Sequence, residues 1–251
     1  MEIRERRPLD RGVCVITGGG RGIGAATARQ AASAGWRVCL SWHADRESAE
    51  AVADEISGRA VRAEVCQEDE VRALFEAAGE MGPVTAAVAN AGIVAAQARL
   101  DEMDGGRMRR TLEVNVLGVM LTAREAIRRM SQRHGGGGGS IVTVSSAASR
   151  LGSAGEYVDY AASKGAVDSF TIGLAREVAA EGIRVNAVRP GVVETEIHSL
   201  GGEPGRAARL APSIPLGRAA RPDEVAAAIV WLLGDEAAYV TGAILDVAGG
   251  R

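Results

Sequence analysis

Short apolar runs and longer amphipathic segments alternate along this chain, and that alternation constrains the fold more than any other feature. The apolar runs are Val13-Cys14-Val15-Ile16, Val38-Cys39-Leu40, Ala60-Val61, Val84 to Ala89, Ile141 to Val144, Ile183 to Val188 and Ala243 to Val247. Between them, Ile23 to Ala34, Ser48 to Ile56, Glu68 to Ala78, Leu112 to Met130, Ala161 to Ala180 and Asp223 to Leu233 repeat their apolar residues at a helical period. Runs that are apolar at every position suit strands covered on both faces, and strands joined by helix-length connections pair in parallel. The expectation is therefore an α/β, doubly wound architecture: a seven-stranded parallel sheet with helices on both faces. With 251 residues, 47% of them hydrophobic, the chain can bury one such core. No composition break divides it, so a single domain over 1–251 is expected, with 1–11 as an N-terminal extension.

A glycine-rich turn directly follows the first run: Thr17-Gly18-Gly19-Gly20-Arg21-Gly22-Ile23-Gly24. Glycines there permit a tight turn and a close backbone approach, which leaves the following helix N-terminus free for a pyrophosphate. Its place between the first strand and first helix makes it a dinucleotide site, with Gly18, Gly20, Arg21, Gly22, Ile23 and Gly24 as candidate contacts. The tract Gly135 to Gly139 lacks that setting and reads as a flexible surface loop.

Of 29 basic residues, 28 are arginine and one, Lys164, is lysine. Tyr160 lies four positions before it, so on a helix the two share a face, with Cβ atoms about 5 to 6 Å apart. A free phenol has a pKa of about 10, and a neighbouring ammonium is expected to lower it toward neutrality. Such a tyrosine exchanges a proton with a carbonyl or alcohol oxygen. Arginine's planar fork would replace the compact ammonium poorly, which gives a reason for the lone lysine to stand here. Tyr157 has Ala161 four residues on and reads as a pocket wall.

The spacing Gly-x-x-x-Gly-x-Gly, the Asn90-Ala91-Gly92 triplet, Ser145-Ser146 at a strand end, Tyr160-x-x-x-Lys164 and Pro190-Gly191 occur in order along the chain. In these it resembles the short-chain dehydrogenase/reductase family, and within it the 3-oxoacyl-carrier-protein reductases and glucose 1-dehydrogenases. The resemblance runs from Gly12 to Gly250 and implies a Rossmann fold and an NAD(P)-dependent oxidoreductase. Such an enzyme moves a hydride between nicotinamide and a carbonyl or alcohol, with Tyr160 as general acid/base. It implies that Ser146, ahead of Ser145, stabilises the substrate oxygen. Asn115, which interrupts an apolar helix face, would hold a helix bend or a water that relays protons to Lys164. For the cofactor it implies contacts from Tyr160 and Lys164, from Asn90, Ala91 and Gly92, from Glu64 and Val65, and from Pro190, Gly191, Val193 and Thr195. A homotetramer or homodimer is implied too, built on the helices around Leu112 to Met130 and Ala161 to Ala180 and on the last strand. Small residues such as Ala161, Ala162, Gly165, Ala166, Gly173 and Ala175 suit close helix pairing.

NADP(H) is expected ahead of NAD(H). An NAD site usually carries an acid at the end of the second strand, where this chain reads Leu40-Ser41-Trp42-His43. Arg21 offers a forked cation for a 2′-phosphate and Ser41 a hydroxyl; against them stand Asp45 and Glu64. Arg21 also reads as a solvated turn residue. The long aperiodic stretch 190–222 reads as a substrate lid. Its polar residues Glu196, His198 and Arg206 read as solvated, and substrate choice falls to Ile93 to Leu100, Ala147 to Tyr157 and Glu194 to Leu216.

The remaining features exclude other classes. A net charge of −3, with 32 acidic residues spread along the chain, gives no basic face for nucleic acid. Met1 to Arg11 holds four arginines and no apolar run, so neither a leader nor a membrane segment is expected and the chain reads as cytoplasmic. Cys14, Cys39 and Cys66 read as buried strand residues, and the three histidines share no ligand spacing, so no metal is expected. A rival from another class is a regulatory protein that binds the nicotinamide cofactor without turning it over. The intact set of Asn115, Ser146, Tyr160 and Lys164 favours the enzyme, because a sensor needs no proton donor.

Overall fold

In the computed structural model, which describes residues 11–196 and 202–251, seven strands form one parallel sheet in the order β3-β2-β1-β4-β5-β6-β7. They are β1 (Val13–Ile16), β2 (Arg37–Trp42), β3 (Arg59–Arg62), β4 (Val84–Ala89), β5 (Gly139–Val144), β6 (Ile183–Pro190) and β7 (Ile244–Val247). Every expected strand is present. Residues 1–10 of the expected extension and His198 lie outside the described residues.

Both faces of the sheet are covered, as continuous apolar strands require. β1 makes the division plain: Cys14 and Ile16 point into one core layer, Val13 and Val15 into the other. The first layer packs α1 (Gly22–Ser33), α2 (Arg46–Glu55) and the helix near the C-terminus against the sheet. The second packs α3 (Glu68–Met81) and two long helices against its reverse, and Phe75 there is fully buried. Cys14 and Cys39 sit in opposite layers as free, buried thiols. Cys66, expected on a strand, instead occupies a turn beyond β3 and is half-buried, because the strand ends at Arg62.

The segment expected as one helix over Leu112 to Met130 is built differently. α4 (Gly105–Leu112) starts earlier, where Asp104 Oδ1 accepts the Arg107 backbone N–H at 2.9 Å. A π turn, Glu113–Leu117, then inserts a wider step before α5 (Gly118–Met130). Asn115 lies within that turn, and such turns often mark functional sites. Two short helices, α6 (Ala148–Leu151) and α8 (Arg206–Leu210), flank α7 (Val158–Val178) in sequence, and α9 (Pro222–Leu233) completes the first layer. The C-terminus of α9 is capped by Arg184 of β6. Its Nη1 donates to the carbonyls of Leu232 and Val240, and its Nη2 to those of Leu233 and Gly234.

The glycine tract expected as a surface loop is exposed and open at Gly135 and Gly137, but it is tightly packed at its end. A Cβ on Gly138 would stand 2.6 Å from the Gly182 carbonyl oxygen, one on Gly139 would stand 2.5 Å from that of Thr85, and Gly139 already belongs to β5. On α7, Ala161 and Ala175 face the core, while Ala162 and Gly173 are exposed. Among the described residues no helix is long and apolar enough to cross a membrane, and no cluster of three potential metal ligands occurs.

Candidate active site

Strand order reverses direction of winding between β1 and β4, and ligands of open α/β sheets bind at that point, beyond the carboxyl ends of the strands. A cavity of about 780 Å³ lies there. It runs from His43, Glu64 and Arg110 at one end, past the glycine turn and the Asn90 to Gly92 segment, to Ser146, Tyr157, Tyr160 and Lys164 at the other. Gly18, Gly20, Arg21, Gly22, Ile23, Gly24, Ser41, Val65, Pro190, Gly191, Val193 and Thr195 also line it. Asn115 does not line it, although its amide packs beside Gly92.

The glycine turn is built around two positions. Gly22 has φ +51°, a left-handed conformation that β-carbons disfavour, and Gly24 leaves no room for a side chain. A Cβ there would collide with the Gly18 carbonyl oxygen and stand 2.7 Å from Asn90 Nδ2. Asn90 secures the turn by donating to the carbonyls of Thr17 at 2.9 Å and Gly18 at 3.0 Å, while Thr17 Oγ1 accepts from the Asn90 and Ala91 backbone N–H groups. The N-terminus of α1 is left open: Arg21 makes no capping bond and the first turn holds no acid. Its uncapped N–H groups and the positive end of the helix dipole suit an anion in the cavity.

At the end of β2 the polar groups are already engaged. Ser41 is buried and its Oγ accepts the Gly18 N–H at 3.2 Å, so it supports the turn from beneath. Asp45 caps α2, accepting from the Ser48 N–H at 3.0 Å, and stands 3.6 Å from Arg21 Nε. The capping bonds hold its carboxyl below the ordinary value. Arg21 Nη1 lies 2.9 Å from Glu196 in the segment after β6. Glu64 is paired with Arg110, Nη2 to Oε2 at 2.6 Å, and His43 Nδ1 stands 3.4 Å away. Burial pushes the Glu64 carboxyl up, but the Arg110 bond and charge outweigh it and hold it low.

At the opposite end, Ser145 and Ser146 diverge as β5 ends. Ser145 is buried and donates to the Lys164 carbonyl at 3.2 Å. Ser146 lines the cavity at the same end as Tyr160 and its Oγ accepts the Ala148 N–H at 3.1 Å. Lys164 is 3% exposed and its Nζ donates to the Val144 carbonyl at 2.7 Å. Burial lowers its pKa from 10.5 to about 8, partly opposed by Asp168 one turn further along α7. The Tyr160 phenol is shifted upward, because burial outweighs the opposing effect of the nearby Ser146 hydroxyl. The expected depression by the ammonium is absent: Nζ stands 5.7 Å from the ring centroid and is turned to the Val144 carbonyl.

Asn115 ties the π turn to the segment after β4. Its Oδ1 accepts the Ile93 N–H at 2.8 Å, and its Nδ2 donates to the Ile93 carbonyl at 2.9 Å and to Ser163 Oγ at 3.1 Å. Both amide N–H groups are thus spent on protein partners, which fits the bend-holding role and leaves them none for a water. A Cβ on Gly92 would lie 3.3 Å from Asn115 Oδ1 and 3.5 Å from Lys164 Nζ, so both side chains approach the Gly92 backbone at one corner of the site.

Arg206, expected to be solvated, is 8% exposed. Its guanidinium lies 4.9 Å from the Tyr157 ring centroid and pairs with Glu156 and Glu203. Three cavity or near-cavity residues escaped the sequence reading: Arg110, Asp168 and, in this role, Arg206. Only Asp168, at the helical spacing from Lys164, carried a signal that could have disclosed it.

A doubly wound sheet with a dinucleotide-sized cleft at its switch point defines the class of protein. The chain belongs to the short-chain dehydrogenase/reductase family, whose members are oxidoreductases acting on CH–OH and C=O groups. A family model described as enoyl-(acyl carrier protein) reductase matches residues 18–251. The oxidoreductase YgfF of Escherichia coli (strain K12), itself uncharacterized, is 49% identical over 95% of this chain and 99% of its own. The cis-4-hydroxycyclohexanecarboxylate dehydrogenase of Sinomonas cyclohexanicum is 43% identical over 95% of each. A crystal structure of 3-ketoacyl-(acyl-carrier-protein) reductase from Brucella melitensis complexed with NADH matches with TM-score 0.90 at 35% identity, covering 97% of this chain and 99% of that one.

Proposed function

We propose that this chain, acting as a single domain over 1–251, interconverts a carbonyl and an alcohol by hydride transfer with a nicotinamide cofactor. Tyr160 is the proton donor and acceptor. The observation that carries this is that Tyr160 and Ser146 line the same end of the cavity, with the buried Lys164 one helical turn on from Tyr160. The open N-terminus of α1 and the close-packed glycine turn fit a pyrophosphate, and Ile23, Ala91, Gly92, Val65, Pro190, Gly191, Val193 and Thr195 would wall the cofactor. When bound, the nicotinamide supplies or accepts the hydride at the substrate carbon. The chain's own residues handle the oxygen.

Ser146 receives the Ala148 N–H, which leaves its own O–H to hold the substrate oxygen beside Tyr160. As hydride reaches the carbonyl carbon, the Tyr160 proton passes to the oxygen and an alcohol forms; in reverse the phenolate takes that proton. The raised phenol pKa keeps Tyr160 protonated near neutrality, which favours reduction there and oxidation as the pH rises. Lys164, with a pKa of about 8, retains most of its charge at neutral pH and would steady the phenolate once its Nζ turns from the Val144 carbonyl toward it. Asn115 fixes the Ile93 segment that walls this corner. Tyr160→Phe should keep cofactor affinity and lose turnover by about a hundredfold or more. Near-normal turnover would refute the mechanism. Nicotinamide binding without turnover in the unaltered protein, over a broad panel of carbonyls and alcohols, would make the chain a regulator.

For the cofactor we propose NADP(H) ahead of NAD(H). Arg21 and the His43 imidazole flank the end of β2, and Asp45 is committed to capping α2. The test compares catalytic efficiency with NADPH and NADH before and after Arg21→Ala. A preference for NADH that the substitution leaves unchanged would overturn it. The assembly we propose is a homotetramer or homodimer, because Leu112, Leu117 and Met120 are exposed along α4, the π turn and α5, and Trp231, Tyr239 and Leu245 are exposed in or near β7. Light scattering at the mass of one 25.9 kDa chain would exclude it.

A further inference from the structure

Three segments that rim the substrate end of the cavity are joined by one buried arginine. Arg206 Nη2 donates to Glu156 Oε2 at 2.5 Å, and its Nη1 donates to Glu203 Oε2 at 2.9 Å. Glu203 in turn accepts from Gln97 of the segment after β4, and the Ala98 N–H donates to the Glu156 carbonyl at 3.1 Å. The guanidinium covers Tyr157, which is itself 5% exposed, and Glu156, Tyr157 and Arg206 all line the cavity that holds Tyr160. Burial alone would favour loss of the Arg206 charge, yet the two carboxylates hold its pKa above the ordinary value, so the cluster is ionic. A guanidinium removed from water is stable only while both of its partners stay in place.

We propose that Arg206 is a specificity-determining latch that closes the outer end of the substrate pocket, favouring compact free carbonyls and alcohols over carbonyls carried on a long thioester arm. The proposal rests on the oxidoreductase reading above and names its substrate class. A compact molecule fits beneath the closed latch and is shut off from water beside Tyr160. A long arm must cross the rim, and to do so it parts Arg206 from Glu156 and leaves both charges without their partner. The two carboxylates next to Arg206 also argue against its serving as a receptor for an anionic substrate, since such a group would meet Glu156 and Glu203.

The test uses the full chain with cyclohexanone as the compact probe and the pantetheine thioester of acetoacetate as the long-armed one. Efficiency with cyclohexanone should exceed that with the thioester by about tenfold or more, and Arg206→Met should reduce that ratio about tenfold. The two KM values should move in opposite directions, up for the ketone and down for the thioester, which general damage to the fold cannot produce. Arg206→Lys, which keeps the charge without the fork, should fall between. Parallel changes for both probes, or a wild-type preference for the thioester, would overturn the latch. Hydrogen exchange supplies a readout independent of turnover: Arg206→Met should speed exchange of the amides at 153–157 and 203–210 about tenfold and leave β4 and β5 unchanged. If the unaltered protein turns over neither probe, the oxidoreductase reading fails for them and the exchange result alone decides the latch, which unchanged protection refutes. If Arg206→Met does not fold, Glu156→Gln breaks the same pair and is judged by the same outcomes.

Discussion

Lys164→Met should stabilise the protein at neutral pH while removing its activity. Burial lowers the Lys164 pKa from 10.5 to about 8, and each pKa unit is about 1.4 kcal/mol, so keeping the ammonium inside at pH 7 costs on the order of 3 kcal/mol. Methionine fills a similar volume without that cost, but it strands the Val144 carbonyl that Nζ now serves, a loss of roughly 1 to 3 kcal/mol. The net gain at pH 7 is about 1 kcal/mol. The pH dependence is the sharper signature. A lysine whose folded pKa is depressed weighs on stability fully below that pKa, and the burden lifts as the pH rises toward the unfolded value. Between the two values the unfolded chain binds more protons, so the wild type gains stability with pH.

From pH 7 to pH 9.5 the advantage of Lys164→Met should therefore shrink by about 2 kcal/mol. Cys39, pushed up to about 12, and Tyr160, also raised, work in the opposite sense as the pH climbs through their unfolded values. Both are present in wild type and variant, so they cancel in the difference between the two. Urea unfolding followed by the fluorescence of the buried Trp36, at one protein concentration, measures that difference. A variant less stable than wild type at pH 7, or a difference that stays constant to pH 9.5, would refute the account of Lys164 as a strained charge retained for chemistry.

Arg184→Met should cost roughly 2 to 4 kcal/mol, because four carbonyls at and beyond the end of α9 lose their donor; thermal unfolding measures it. Asn115→Ala should lower both stability and turnover, since the π turn loses its ties to Ile93; a change in turnover at full stability would show that the amide has a role beyond holding the bend. Gly24→Ala should abolish cofactor binding, read as loss of the fluorescence change of added NADPH, because the new Cβ collides with the Gly18 carbonyl that shapes the turn.

How far sequence discloses such a protein depends on whether the physical cause is local. The sheet was legible because burial on both faces makes each strand an unbroken apolar run, and β1 fills both core layers with four consecutive buried residues. The start of α4 was hidden behind Gly105 and Gly106, poor helix formers that Asp104 nevertheless caps, and the π turn keeps the apolar spacing of the helices around it. Lys164 was conspicuous because composition singled it out, and its neighbour Tyr160 followed from helical spacing. The direction of the Tyr160 shift could not follow, since spacing fixes only which groups share a face. Whether burial or the ammonium dominates depends on how the Lys164 side chain is turned, and the carbonyl that turns it lies 20 residues upstream. The same limit hid Arg206: its partner Glu156 stands 50 residues away, and a lid arginine becomes a buried one only when both meet over Tyr157. Residues whose role rests on a pairing across loops are thus the ones sequence reading assigns to solvent, and in this fold they cluster where substrate choice is made.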